Sequence, residues 1–511
     1  MRLRLAELIA ALSLATDLGL GLPQEHVLRQ CRIALGLAER VGVEDADRAA
    51  VYYVALLAWV GCTADSHELA AQFGDEIAFR ADAHDVDLAG LPLLRFMLRR
   101  VGDGRPPLER ARMAAALLAS NGSGAAEAMT AHCRVASVIA RQLGLGPDVQ
   151  RPLLHVFSRW DGKGIPKGTG GEALPLPIRL VHVAELAEVF HRSGGVDGAI
   201  AVVRARSGTQ FDPRLAGAFA DCAGELLDGL DDSTWDAVIA AEPGLSTTLA
   251  GDELDAALEA VADFADLKSP WFTGHSRGVA RLAADAARAA GLPDEAVTEL
   301  RRAALVHDLG RTGVPNMIWD KPGPLTHAER ERVRLHAYYT DRILARPDAL
   351  VRLGAIAACH HERLDGSGYH RSLPGSALSP AARILAAADA YHAMTEARPH
   401  REAMTPAAAA TELRAEVRAG RLDADAAEDV LVAAGHAGAR PRERARPAGL
   451  TARELEVLLL VARGASSRDV ARRLVIADKT ARNHIERIYA KLGVSTRAEA
   501  SLYAMRQGLI D

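Results

Sequence analysis

The chain opens with Met1-Arg2-Leu3-Arg4 and a Leu/Ala-rich run broken by Glu7 and Asp17. Apolar residues interrupted by charge in this way predict an amphipathic helix. No small-x-small cleavage site follows, so a signal peptide is not expected. No stretch of 18 uncharged apolar residues occurs, so no membrane span is expected either. Later in the chain, Leu450-Thr451-Ala452-Arg453-Glu454-Leu455-Glu456-Val457-Leu458 places a Thr before an apolar stripe, with Glu454 three positions on. That is a capping box and predicts a helix start. Ser466 to Leu474 predicts a second short helix. Asp478 to Leu492 predicts a third, opened by Asp478 as its cap. Two short helices joined by a tight turn, the second polar and basic at its start, read as a helix-turn-helix.

The stretches between the patterned segments also carry signals. Residues 101–130, with Gly102, Gly104, Pro106-Pro107 and Asn121-Gly122-Ser123-Gly124, read as a loop, a short helix and another loop. Asp231-Asp232-Ser233-Thr234 and Pro243-Gly244 put a connection in residues 226–250. Thr405-Pro406 starts another helix. Gly435 to Gly449 carries Pro and Gly breaks with Arg440, Arg442, Arg444 and Arg446, and reads as an exposed linker.

The chain also repeats itself. His26 to Gly61 lies over His275 to Gly310 without a gap, at an offset of 249. Ala58 and Trp59 then take the places of His307 and Asp308. Further on the offset is 204: His132 falls on His336, Asp161-Gly162-Lys163-Gly164-Ile165-Pro166 on Asp365-Gly366-Ser367-Gly368-Tyr369-His370, Arg179 on Arg383 and Glu185 on Asp389. Val156 and Phe157 stand where the later copy has His360 and His361. Internal repetition of this kind decides architecture.

Composition narrows the class. Ala, Leu and Arg dominate, which favours helices, and 511 residues suggest roughly three domains at about 150 each. A net charge of −5 excludes a basic nucleic-acid coat for the whole chain. Residues 449–511, by contrast, carry more basic than acidic side chains. Five cysteines without CxxC spacing read as reduced and cytosolic, and Cys359, beside His360, reads as a small buried residue.

The chemistry concentrates between His275 and Asp389. His275, His307, Asp308, His336, His360, His361 and Asp389 fall 24 to 32 positions apart, taking each adjacent pair as one step. That interval is about one helix, a turn and part of the next, so each step can return the chain to the same end of a bundle. A lone histidine is usually a core residue; seven such residues in register point to a metal cluster. Imidazole with carboxylate suits iron, manganese, nickel or zinc, and the lack of thiolate argues against a structural zinc site. A carboxylate such as Asp308 can bridge two ions, and two ions about 3.5–4 Å apart are a device for hydrolysing phosphate esters. In the earlier copy only His26, His132 and Glu185 survive, too few for a bimetallic centre.

Residues 270–415 resemble the HD-GYP branch of the HD-domain metal-dependent phosphohydrolases. The motifs are His275-Ser276-Arg277, His307-Asp308-Leu309-Gly310-Arg311, Lys321-Pro322-Gly323-Pro324-Leu325-Thr326, His336, His360 to His370, Asp389-Ala390-Tyr391 and Arg398-Pro399-His400-Arg401. The resemblance implies a helical domain that hydrolyses cyclic di-GMP. It implies one metal on His275, His307, Asp308 and Asp389, and a second on Asp308, His336, His360 and His361. It implies that Arg398 and Arg401 grip substrate phosphate, and that Asp308 and Arg311 serve catalysis. Three positions depart from the family. Arg311 replaces a Lys and, as a guanidinium, holds phosphate but donates no proton near neutral pH. His370 replaces a Pro. Trp271 stands where some members have a Glu for a third metal, so two ions are expected, iron or manganese, with zinc or nickel as alternatives.

Residues 449–511 resemble the LuxR-type DNA-binding domain through Leu-Thr-x-Arg-Glu, Gly464-x-Ser466, Lys479-Thr480, His484, Lys491-Leu492-Gly493-Val494 and Arg497-Ala498. That likeness implies that Lys479, Thr480, Arg482, Asn483 and Arg487 face DNA, with Glu454 and Arg497 holding the small domain together. The expected fold is all-α: two tandem HD-like bundles (1–228, degenerate and metal-free; 250–434, metal-binding), a linker (435–448) and a helix-turn-helix domain (449–511). The expected function is a cytoplasmic, homodimeric transcription regulator. It couples a bimetallic cyclic dinucleotide phosphodiesterase to DNA binding. The alternatives are a non-catalytic nucleotide-sensing DNA-binding regulator and a hydrolase of another phosphoester.

Overall fold

A computed structural model describes residues 1–84, 86–87, 90–119, 123–230, 234–243, 247–436, 450–474, 476–494, 496–506 and 509. It is helical almost throughout. The only named strands among the described residues form a two-residue antiparallel ribbon, with Leu3 opposite Leu249 and Arg4 opposite Thr248. The chain forms two compact units, residues 1–436 and 437–511. Most of the expected linker, residues 437–448, lies outside the described residues. No single described helix is long and apolar enough to cross a membrane.

The main hydrophobic core of the first unit is continuous and draws on both halves, from Leu3 to Leu431, with two small satellites around Phe73 and Leu378. Its organising helices come in two series. The first is α1 (Leu5–Leu20), α2 (His26–Arg40), α3 (Asp45–Leu57), α4 (Ser123–Gln142) and α5 (Leu176–Ala205, broken at Gly195). The second is α6 (Gly251–Asp266), α7 (His275–Ala289), α8 (Asp294–Leu305), α9 (His327–Leu344) and α10 (Pro380–Met394). The packing is reciprocal. Helix α1 lies against the Leu309–Gly313 turn and α9 of the second series, and α6 lies against the Val60–Thr63 turn and α4 of the first.

Local contacts recur at matching places. Asp17 accepts from the Val27 N–H, and Asp266 accepts from the Ser276 N–H. A Cβ on Gly61 would meet the His132 carbonyl oxygen at 2.2 Å, and one on Gly310 would meet that of His336 at 2.1 Å. Only glycine permits either approach. A Cβ on Gly164 would run into the backbone of residues 157–159, and one on Gly368 into that of Glu362 and Arg363.

The expected loop–helix–loop over 101–130 is more helical than its Gly and Pro content suggests. Pro107–Ala119 is a full helix, and Ser123 and Gly124 belong to α4. A helix's first turn tolerates both, because its N–H groups have no intrahelical partner to lose. Residues 120–122 lie outside the described residues.

The second unit packs α11 (Ala452–Ala462), α12 (Ser467–Leu474), α13 (Asp478–Leu492) and α14 (Arg497–Arg506) around Val457, Leu458, Val461, Val470, Ala481 and Ile488. The capping box at Thr451 and Glu454 forms as expected. The Asp478 cap does not: Ala477 is the N-cap, and Asp478 is the first helical residue, its carboxylate pairing with Arg482 at 2.6 Å. At that position its charge still favours the positive end of the helix dipole.

Candidate metal centre and candidate DNA-reading helix

His275 opens α7, His307 and Asp308 follow α8, His336 lies in α9, and Asp389 lies in α10. His360 and His361 follow the short helix Val351–Ala357. All seven side chains converge. Asp308 turns its two oxygens in different directions: Oδ2 lies 2.7 Å from His307 Nε2 and 3.5 Å from His275 Nε2, while Oδ1 lies 3.4 Å from His336 Nε2 and 3.5 Å from His360 Nε2. Asp389 reaches both groups, with Oδ1 at 3.2 Å from His275 Nε2 and Oδ2 at 3.8 Å from His361 Nδ1. Three groups are each close enough to share one ion: His275–His307–Asp308, His336–His360–His361, and, behind His275, His275–His392–Glu396.

The tautomers fit such ions. His307, His336 and His360 each donate Nδ1–H to a backbone carbonyl, those of Ala304, Val333 and Ala357. That fixes each ring and leaves Nε2 with its lone pair turned inward, as metal ligation requires. His336 Nε2 and His360 Nε2 stand only 3.0 Å apart, and two such lone pairs repel unless a cation lies between or beside them. His275 Nε2, His307 Nε2 and Asp308 Oδ1 are buried without a hydrogen-bond partner. Buried polar groups of this kind need compensation, and a cation at their common focus supplies it.

The electrostatics agree. Burial pushes His336 down to about 3 and His361 well below its ordinary value, so both are neutral donors. Burial also opposes charge on His275 and His307, but Asp308 and Asp389 outweigh it and push them up to about 10 and about 9. The carboxylates that hold protons there would equally hold a metal ion, which would displace them. Burial opposes charge on Asp308 as well, yet Arg311 and the neighbouring histidines keep it well below the usual carboxylate range.

Arg311 Nη2 lies 2.5 Å from Asp308 Oδ2, and its guanidinium sits 4.2 Å over the Phe272 ring. Arg398 occupies the same ring at 4.8 Å and donates to the Trp271 carbonyl. Phe272 is therefore a cation–π platform holding two arginines beside the cluster. Arg401 is placed differently. Its guanidinium donates to the carbonyls of Ala393, Met394, Glu396 and Glu402, which gives it a bracing role at the end of α10. Of the two arginines, only Arg398 is set beside the cluster.

Sequence reasoning did not single out His392, Glu396, Phe272 or Glu362. His392 lies three positions after Asp389 on α10, a helical spacing that puts it on the same face, and that signal was available; Glu396 lies just beyond the helix, where no periodicity points to it. Glu362, fully buried, accepts from the N–H groups of Arg371 and Leu373 and so fixes the loop carrying Tyr369. Cys359 is buried, with burial pushing its thiol up to about 11, and it donates to the Ala355 carbonyl.

In the first half, Trp59, 249 positions before Asp308, is packed among rings. The Trp59 ring lies 5.6–5.8 Å from those of His84, His132 and Phe157 in edge-to-face contacts. His26 Nδ1 pairs at 2.5 Å with Glu188, which Arg29 and Arg192 also hold.

In the second unit, Ala481 and Ile488 turn α13 toward the core, while Lys479, Thr480, Arg482, Asn483 and Arg487 are all exposed. Arg482 is engaged by Asp478; the other four present a basic and amide surface. Glu454 pairs with Lys491 at 2.7 Å, and Arg497 donates to the Gly464 carbonyl, as expected of residues that tie the domain together.

Residues 259–426 match the HD domain family, and residues 448–504 match the bacterial regulatory proteins of the luxR family. The chain is 31% identical over 405 residues to the 3'3'-cGAMP-specific phosphodiesterase 3 of Vibrio cholerae, covering 78% of this chain and 88% of that protein. It is 40% identical over 129 residues to a cyclic di-GMP phosphodiesterase of Thermotoga maritima, covering 25% of this chain and 35% of that one. A solved structure of a cyclic GMP-AMP-specific phosphodiesterase from Vibrio cholerae superposes with a TM-score of 0.60 at 26% identity, covering 86% of this chain and 99% of that one. That coverage extends well beyond the HD-matched span. The chain belongs to the HD-GYP family of HD-domain phosphodiesterases and carries a LuxR-type DNA-binding domain.

Proposed function

We propose that residues 250–434 hydrolyse a cyclic dinucleotide with the help of two divalent transition metal ions, iron or manganese. In this reading residues 449–511 bind DNA as a transcription regulator under the influence of that site. Residues 1–228 are a second copy of the bundle that has lost its donors and serves as scaffold. Asp308 carries the reading: one carboxylate with each oxygen directed at a different histidine pair is the arrangement of a bridging ligand. Bound ions would supply Lewis acidity and a hydroxide nucleophile at neutral pH. His275, His307 and Asp389 would hold one ion, His336, His360 and His361 the other, and Asp308 both. Arg311 and Arg398, fixed on Phe272, would direct positive charge at the phosphodiester oxygens as negative charge builds. Lys479, Thr480 and Arg482 would position α13 on the phosphate backbone, and Asn483 and Arg487 would read bases. Two chains would occupy two half-sites, in the cytoplasm where operator and nucleotide meet.

A second reading is favoured by one contact. Arg311 already occupies Asp308 Oδ2 and competes with an ion for it, as in a site that retains a nucleotide without turning it over. Purified protein loaded with Mn²⁺ or Fe²⁺ and offered 3'3'-cGAMP, cyclic di-GMP and cyclic di-AMP separates the two. Hydrolysis of any of these, lost in Asp308→Ala, supports the enzyme; a tight complex without product supports the sensor. An absence of both metal uptake and nucleotide binding would refute each.

A further inference from the structure

Glu396 stands just beyond α10 and touches two different parts of the site. Its Oε2 accepts from His275 Nδ1 at 2.8 Å and from Arg398 Nη2 at 2.7 Å. Its Oε1 lies 3.3 Å from His392 Nδ1. His392 is itself seated on a bare stretch of α7: a Cβ at Gly278 would lie 2.0 Å from its Nε2, so only glycine leaves room for the ring. His275 is completely buried, and its Nε2 faces Asp308 and Asp389. One carboxylate oxygen therefore sets both the ring orientation of a metal-donor histidine and the direction of the guanidinium stacked on Phe272.

We propose that Glu396 is a positioning residue that couples the first metal position to Arg398, so that ion binding and phosphate capture share one support. The inference rests on the bimetallic reading above. Two physical arguments carry it. A histidine that donates its remote N–H to a carboxylate is held in one tautomer and becomes a stronger donor, and removing such a partner typically weakens metal affinity about 10–100-fold. The same oxygen also accepts from Arg398, so its loss leaves that guanidinium held only by the Trp271 carbonyl and the Phe272 ring. Gly278 and His392 close the back of the arrangement.

The test uses the metal-free full-length chain, titrated with Mn²⁺ while free ion is followed by electron paramagnetic resonance. Cyclic dinucleotide kinetics are measured alongside. Glu396→Ala is expected to weaken one of the two ions about 10–100-fold, to leave the other at wild-type affinity, and to raise KM. Glu396→Gln is the discriminating variant. Its amide oxygen still accepts from His275 Nδ1–H but has no charge for Arg398, so metal affinity should recover while KM stays raised. A merely structural role would lower thermal stability and move neither ratio. Wild-type affinities and wild-type KM in folded Glu396→Ala would overturn the proposal, as would Glu396→Gln failing on both counts together with Glu396→Ala. Failure of the underlying reading looks different: the wild-type chain would take up no Mn²⁺ and Asp308→Asn would change nothing, which overturns both.

Discussion

Adding one methyl group at Gly310 should separate folding from chemistry. Its Cβ would lie 2.1 Å from the His336 carbonyl oxygen, 2.7 Å from the Thr340 nitrogen and 2.8 Å from the Tyr339 Cβ. Ordinary carbon contacts need about 3.5 Å, so α9 must retreat from the Leu309–Gly313 turn by about 1 Å or more. Overpacking of this kind costs about 1–3 kcal/mol. The retreat carries His336 away from Asp308. Their present separation of 3.4 Å would grow to about 4.4 Å, the straight-line limit for two donors each about 2.0–2.2 Å from one ion. A misplacement of about 1 Å also costs about 100-fold in rate. Gly61→Ala is the matched control: its Cβ meets the His132 carbonyl oxygen at 2.2 Å, with a similar packing cost and no metal donor to move. Calorimetry, Mn²⁺ stoichiometry and turnover per folded molecule are the assays. Both variants should lose stability, and only Gly310→Ala should lose metal and activity. Wild-type metal uptake in Gly310→Ala, or its loss in folded Gly61→Ala, would refute the reasoning.

Asp308→Asn should abolish uptake of both ions. It should also destabilise the metal-free chain by about 3–5 kcal/mol, because Arg311 is left buried without its partner; metal analysis and denaturant titration check this. Glu188, 1% exposed, supplies a pH signature. Burial opposes its charge, but His26, Arg192 and Arg29 bring it down to about 2. A carboxylate depressed on folding stabilises the native state above its unfolded pKa, about 4.5, and loses that contribution as pH falls toward 2. Burial holds His26 below its ordinary value, so at pH 7 Arg29 and Arg192 are the standing charges on Glu188; Glu188→Gln should therefore lower stability at pH 7 and flatten the decline between pH 4.5 and 2 seen by calorimetry. In the DNA-binding domain, Lys479→Ala should weaken binding to all sequences and flatten its salt dependence, while Asn483→Ala should relax sequence preference. Fluorescence anisotropy at several salt concentrations distinguishes them, and identical curves for both variants would refute the placement of α13.

The convergence of these seven side chains was legible because imidazole and carboxylate at bundle-length spacing have few other uses, and the structure brings all seven together. Glu396 was not, since a Glu just past a helix end looks like a solvated face, and the three-residue spacing of His392 from Asp389 does not by itself say what the ring does. Only their distances to His275 and Arg398 reveal what they do. For Arg401 the motif names the residue but not its contacts: the carbonyls at the end of α10 engage its guanidinium. Asp478 failed by one position, because the chain reaches helical geometry a residue before the side chain that resembled a cap. Residue identities recur at fixed offsets along the sequence. The packing of the two halves was not legible, because which half covers α1 depends on surfaces that no local pattern encodes.

That packing explains why a copy without metal donors would be retained. Helix α1 covers the turn that follows Asp308, and the helix Glu76–Ala83 sends one carboxylate across to the second half. Glu76, fully buried, accepts from Lys268 Nζ at 2.7 Å and from the Asn316 N–H at 3.0 Å, and Asn316 Nδ2 donates to the Lys268 carbonyl. Lys268 and Asn316 flank Phe272 and Arg311 in sequence, so this buried pair fixes the backbone on both sides of the arginine platform. A buried charge whose partner is removed is far more costly than a lost surface pair. In the two-copy reading, the first half is therefore constrained at Glu76 and along α1 by the active site of the second. Its own donor places were free to become Trp59, Val156 and Phe157, because apolar contact there serves the shared core better than unpaired imidazoles would.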